Sequence, residues 1–210
     1  MIAFDLRGAR RFVCLGAHPD DIEIGCGATL LTLAERGDAF VRGLVLTGEG
    51  ARADEARESL PRFFSGASVQ VGGLPDGRLP AHWSAVKDQL EQFAGIEPAD
   101  VVLAPRVDDA HQDHRLIGTL ARTVWRDALL LHYEIPKWDG DLATPSHYVP
   151  LSKATARRKV DLLHRSFPSQ RARDWWDDEL FLGLLRLRGV EARAPYAEGF
   201  FVAKAVVDLG

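Results

Sequence analysis

Sulfur is scarce in this chain of 210 residues, which carries two cysteines, Cys14 and Cys26, and one methionine. Two cysteines cannot build a disulfide framework, so the fold must rest on a hydrophobic core, and a reducing cytoplasmic setting is expected. Positive charge is not in excess: 26 Lys and Arg face 30 Asp and Glu, a formal net charge of −4. The basic field that a phosphate backbone requires is therefore missing, and nucleic acid is not an expected partner. The arginine-rich stretches Arg7–Arg11 and Arg157–Lys159 are short and read as solvated faces. No apolar run is long enough to span a bilayer, and Met1–Arg7 lacks the uninterrupted apolar core of a signal peptide. Repeats, low-complexity tracts and linkers are absent as well. The 46% hydrophobic content suffices to bury a core, and one domain over residues 1–210 is expected.

What is present is an alternation of short apolar runs with helical stretches. Strands are predicted at Arg11–Gly16, Phe40–Thr47, Ser68–Gly72, Val101–Ala104 and Leu129–Tyr133, and helices at Gly27–Arg36, Ala51–Phe64, Trp83–Phe93 and Asp113–Arg126. This order means βαβ units and a largely parallel sheet. After Tyr133 the pattern changes to a proline-containing, aromatic loop from Pro136 to Pro150. Helices at Lys153–Arg165 and Asp174–Arg188 and a closing strand at Phe200–Val207 follow.

Two polar clusters stand out against this background. Ala17-His18-Pro19-Asp20-Asp21-Ile22-Glu23 closes the first strand, and Asp109-Ala110-His111-Gln112-Asp113-His114 follows the fourth. Imidazole nitrogens and carboxylate oxygens suit a borderline divalent cation such as zinc, and a second carboxylate beside a ligand can take a proton from water. In a parallel sheet, loops leaving the C-terminal strand ends converge in one crevice, so nearly a hundred intervening residues are no obstacle. Gly25 and Gly27 hint at a phosphate-cradling turn. The full dinucleotide-binding spacing is absent, however, and adjacent carboxylates would repel a pyrophosphate.

The run His18-Pro19-Asp20-Asp21-Ile22-Glu23-Ile24-Gly25-Cys26-Gly27-Ala28-Thr29-Leu30 resembles the first motif of the LmbE-like or PIG-L-like metal-dependent N-deacetylases, and His111-Gln112-Asp113-His114 resembles the second. Weaker echoes are Thr47-Gly48-Glu49-Gly50 with Arg57-Glu58, Leu74-Pro75-Asp76-Gly77, Tyr133-Glu134-Ile135-Pro136, and Arg188-Gly189 with Tyr196–Phe200. The resemblance implies an α/β, Rossmann-like three-layer sandwich with its active site at the C-terminal ends of the strands. It also implies release of acetate from an N-acetylglucosamine-type sugar or small conjugate. His18, Asp21 and His114 would hold the metal, zinc or alternatively ferrous iron, with a fourth position open. Asp20 would be the general base. His111 would stabilise the oxyanion as a protonated imidazole, with Asp113 fixing its tautomer and raising its pKa.

Further roles implied are sugar contacts for Arg57 and Asp76, and support of the motif loop by Glu23. Some relatives carry tyrosine, which helps polarise the substrate carbonyl, where this chain has Asp109; either His111 and the metal suffice here, or another residue such as Tyr133 contributes. Cys26 reads as a packing residue. His82, His132, His147 and His164 lack metal-ligand spacing and read as structural or surface residues, with His147 near Trp138 and Tyr148 a candidate for the pocket mouth. Trp175 and Trp176 fit a core face, the alternative being a platform for a sugar ring. The partner expected is a small amino-sugar conjugate rather than a membrane, and a homo-oligomer is compatible. Two rival readings are a non-haem iron oxygenase, which uses the same ligand types but needs no second carboxylate, and a catalytically silent binding protein.

Overall fold

A computed structural model describes residues 3–207. Five strands pair in parallel: β1 (Arg11–Gly16), β2 (Phe40–Thr47), β3 (Ser68–Leu74), β4 (Val101–Pro105) and β5 (Leu129–Tyr133). With β6 (His147–Leu151) and β7 (Tyr196–Phe201) they form one seven-stranded sheet in the order β3-β2-β1-β4-β5-β7-β6. β7 is antiparallel to both of its neighbours. Helices are α1 (Asp21–Ala34), α2 (Gly50–Phe63), α3 (Trp83–Ile96), α4 (Gln112–Val124), α5 (Lys153–Ser166) and α6 (Asp178–Ala192).

The apolar runs of the central strands are buried on both faces, as a covered parallel sheet requires. Because successive strand side chains alternate, Phe12 and Cys14 join the core under α1, α2, α5 and α6, whereas Val13 and Leu15 join that under α3 and α4. The result is the expected three-layer α/β sandwich. β1 leads to β2 on one side and β4 leads to β5 on the other, so the loops leaving β1 and β4 diverge. That divergence opens a crevice at the carboxyl ends of the strands. Among the described residues no helix is long and apolar enough to cross a membrane.

Several boundaries differ from expectation for identifiable reasons. α1 starts at Asp21 rather than Gly27, and Cys26 (φ −141°, ψ 17°) breaks it in the middle. A buried ion pair satisfies the broken turn. Glu198 accepts the amide N–H groups of Ala28 (2.9 Å) and Thr29 (2.6 Å), while Lys159 Nζ donates to Ile24 O and to Glu198, both at 2.6 Å. The glycines around the break serve packing: a Cβ on Gly25 would meet the Tyr133 ring at 2.1 Å, and one on Gly27 the Phe63 ring at 2.7 Å. The predicted loop from Pro136 to Pro150 contains all of β6 but its last residue, Leu151. The closing strand is Tyr196–Phe201, shifted from Phe200–Val207, because Glu198 is drawn inward by α1 and masks the strand's apolar pattern. α6 begins four residues later than predicted, where Asp177 caps it by accepting the Leu180 amide (2.7 Å).

Candidate active site

Four segments at the carboxyl ends of the parallel strands build the site. The turn after β1 carries His18, Asp20 and Asp21; the turn after β4 carries Asp109 and His111, leading into Asp113 and His114 on α4; the loop after β3 carries Asp76; and the first turn of α2 carries Arg52. The imidazole rings of His18, His111 and His114 lie 4.7 to 5.1 Å apart, centroid to centroid.

Within this cluster His18 Nδ1, His114 Nε2 and Asp21 Oδ2 form a small triangle. Its edges are 3.2 Å between the two nitrogens, 3.5 Å from His18 to Asp21 and 3.3 Å from His114 to Asp21. Ligand atoms about 2.1 Å from a tetrahedral zinc stand about 3.4 Å apart, so the donor set and its spacing fit a divalent cation. Asp21 is held in place by the amides of Ala17 (2.8 Å) and His18 (2.9 Å), both donating to Oδ2. Each histidine also faces a carboxylate with its other nitrogen, the usual support of a metal-binding imidazole. His18 Nε2 lies 3.4 Å from Asp113 Oδ2 and 3.1 Å from Asp76 Oδ1. His114 Nδ1 lies 3.2 Å from Asp109 Oδ1 in an oblique ion-pair approach.

The electrostatics follow from this crowding. Burial works against a charged Asp21, yet the imidazoles of His114 and His18 hold it well below the usual carboxylate range. Burial likewise opposes charge on His18, but Asp21, Asp113 and Asp76 push it up to about 12; for His114, Asp21 and Asp109 overcome burial and push it to about 9. Asp20 behaves differently: burial raises it to about 6, with Arg52 opposing and Asp21 adding to the rise. Asp20 occupies the N-cap position of α1 without capping it, so its carboxylate is not committed to the helix. Its side-chain partner is Arg52, at 3.2 Å.

Three expectations need correction. Asp113 does not orient His111 through its carboxylate, which accepts the amides of Gly77 (2.8 Å) and Leu79 (3.0 Å) and faces His18 instead. Its backbone N–H donates to His111 Nδ1 (3.3 Å), which places the imidazole proton on Nε2. Burial, then the charges of His114 and His18, lower the pKa of His111 and so work against the protonated imidazole expected of it. Arg57 is not brought to the site either, since it pairs with Asp54 (2.9 Å) on an exposed face. The arginine opposite Asp76 is Arg52, at 3.7 Å, and its Nε has no partner. Only the first turn of α2 faces the crevice; five residues further along is about 7.5 Å away. Finally, Tyr133 is fully buried and its hydroxyl donates to Leu15 O, so it is not available to a substrate carbonyl.

Asp76 is exposed at the rim, its Oδ1 3.1 Å from His18 Nε2. Glu23 is buried and accepts from Ser59 on α2, tying α1 to α2 behind the site, with burial raising its carboxyl to about 7. Lys137, in the loop after β5, escaped the sequence reading; its Nζ lies 2.9 Å from Asp109 Oδ1. Nothing local marked it, because the pairing joins two distant loops.

Fold and site together define an α/β protein with a cluster of histidines and carboxylates, able to hold a divalent cation, at a sheet's switch point. The model of the PIG-L family, GlcNAc-PI de-N-acetylase, matches residues 13–125, more than half of the chain, which therefore belongs to that family. The "Uncharacterized deacetylase YaiS" of Escherichia coli (strain K12) is 29% identical over 136 residues, covering 59% of this chain and 73% of its own. Among solved structures, the N,N'-diacetylchitobiose deacetylase from Pyrococcus horikoshii aligns with a TM-score of 0.72 at 21% identity, over 95% of this chain and 87% of its own. GalB, the 4-carboxy-2-hydroxymuconate hydratase from Pseudomonas putida, aligns with a TM-score of 0.75 at 17% identity, over 96% and 99%. At these identities the two structures share a fold with this chain.

Proposed function

We propose that this protein is a zinc-type, divalent-metal-dependent N-deacetylase that hydrolyses the acetamide of an N-acetylglucosamine-type sugar or small glycoconjugate and releases acetate. The observation that carries the reading is Asp20, a buried carboxylate free of any capping duty, placed next to the His18, Asp21 and His114 triangle. A metal-binding centre alone has no need of it, whereas hydrolysis needs a base. Family membership and the chitobiose deacetylase fold support the same substrate class. Two buried free thiols suit a reducing compartment, and we place the enzyme in the cytoplasm.

His18, Asp21 and His114 would hold the cation, which when bound supplies Lewis acidity toward water and an amide carbonyl. Asp20 accepts the proton of the attacking water and later returns it to the departing amine. Arg52 holds Asp20 in position and keeps it ionised against the penalty of burial. His111, protonated on Nε2, donates to the carbonyl oxygen as negative charge develops there. At the rim, the exposed carboxylate of Asp76 is placed to bind hydroxyl groups of the sugar.

The test is acetate release from N-acetylglucosamine and its simple glycosides by the metal-reconstituted protein, beside Asp20→Asn. Acetate from the parent and a loss of about 10²- to 10⁴-fold in the variant, with metal content unchanged, is expected. Undiminished release by the variant removes Asp20 as the base. No acetate from the metal-loaded parent on any of these compounds ends the deacetylase reading.

A further inference from the structure

Isolated apolar side chains are common on protein surfaces. Trp138 differs from these in being both exposed and held rigid. Its residue is 65% exposed, yet its indole N–H donates to Asp174 Oδ1 (3.1 Å), and its ring stands edge-to-face on Trp175 at 5.9 Å and 80°. Trp175 in turn packs against Trp176 (5.5 Å), and Trp176 against Phe181 (5.1 Å) and Phe167 (5.9 Å), all three buried. The exposed indole is thus the outer end of an aromatic ladder rooted in the core, so its orientation is fixed at little further entropy cost.

The loop that carries it is clamped to the active site. Lys137, the residue before Trp138, pairs with Asp109, and Asp141, three residues after, accepts the amide of Ala110 (2.7 Å) and binds Lys137 (3.1 Å). Asp109 and Ala110 immediately precede His111 in the chain. Trp138 therefore lies in a segment laid directly against the turn that presents His111. Asp174 accepts the indole N–H, and Asp139 follows Trp138 directly in the chain. An aromatic face for the C–H surface of a pyranose, edged by acceptors for hydroxyl groups, is the chemistry that holds a sugar ring.

We infer that Trp138, backed by Trp175, is a specificity-determining platform for a second sugar ring of the substrate, the one linked to the N-acetylated sugar whose amide is cleaved. The inference rests on the deacetylase reading for the identity of the first ring. It makes the substrate an oligosaccharide or glycosylated conjugate rather than a free monosaccharide.

Two measurements keep that reading and this one apart. In steady-state kinetics on metal-loaded enzyme, the parent should favour N,N'-diacetylchitobiose over N-acetylglucosamine in kcat/KM. Trp138→Ala should lose roughly tenfold on the disaccharide, through KM, while monosaccharide turnover stays unchanged. A parent without that preference, a variant that retains it, or an equal loss on both sugars overturns the platform. Calorimetric titration of metal-loaded Asp20→Asn protein with the same two sugars, with and without Trp138→Ala, reads binding without turnover. If the parent releases no acetate, the deacetylase reading falls, and this titration still decides whether Trp138 discriminates a disaccharide from a monosaccharide.

Discussion

At the scale of single residues, the site depends on carboxylates that never touch a substrate. Asp109 Oδ1 faces His114 Nδ1, the His111 amide and Lys137 at once, so it orients one proposed ligand and the turn bearing the proposed oxyanion donor. Asp109→Asn should weaken zinc binding about 10- to 100-fold, read by chelator competition, with the fold intact by circular dichroism. Unchanged affinity would reduce Asp109 to a loop residue. His132, away from the cluster, reports on pH instead. Its Nδ1–H donates to Pro105 O (2.8 Å), its Nε2 has no partner, and burial lowers its pKa. An unfolded chain takes up this proton as pH falls through about 6.5 and the folded one resists it, so the contribution is present above that pH and lost below it. His132→Asn, which preserves the bond to Pro105, should flatten the loss of stability between about pH 7.5 and about pH 5.5 in urea unfolding. An identical slope in parent and variant would show that other groups dominate.

At the scale of elements, the decisive feature is the broken helix α1. Its first half presents Asp21 to the site and its second half packs in the core, and the break between them exposes backbone groups that Lys159 and Glu198 satisfy. Removing one charge from such a buried pair leaves the other uncompensated. Lys159→Met should therefore cost about 3 to 5 kcal/mol in chemical denaturation, and adding Glu198→Gln should recover much of it. Additive losses in the double variant would mean that the two residues act separately. α2 shows how a helix selects among its own residues, since Arg52 in its first turn reaches Asp20 while Arg57 faces solvent.

At the scale of the whole molecule, the site joins segments from all along the sheet, so a bound cation should stabilise the entire fold. At a hundredfold excess over Kd it contributes about 2.7 kcal/mol, or roughly 5 to 10 °C in Tm for a chain of this size. Chelation should lower Tm by that amount and added zinc should restore it, whereas His114→Ala should be insensitive to both. A parent whose Tm ignores chelator and zinc alike would argue against the proposed ligand set.

Much of this was legible in the chain itself, because the information was local. Apolar runs buried on both faces announce parallel strands, and their alternation with helices implies the three layers. His18, Asp20, Asp21, His111 and His114 stand in two short motifs at strand ends, where topology alone brings loops together. Other features depend on partners remote in sequence. The strand Tyr196–Phe201 was misplaced because Glu198 serves a helix 170 residues away. Arg52 replaced Arg57 because only the first turn of α2 reaches the crevice, which proximity in the motif does not reveal. The Asp113 carboxylate went to His18 rather than His111 because two amides of the β3 loop hold it there. The sequence by itself determined the layers and the chemical types gathered at the strand ends. Tertiary structure decided which charged group faces which, since ion pairs and hydrogen bonds act over a few ångströms between residues whose separation only folding sets.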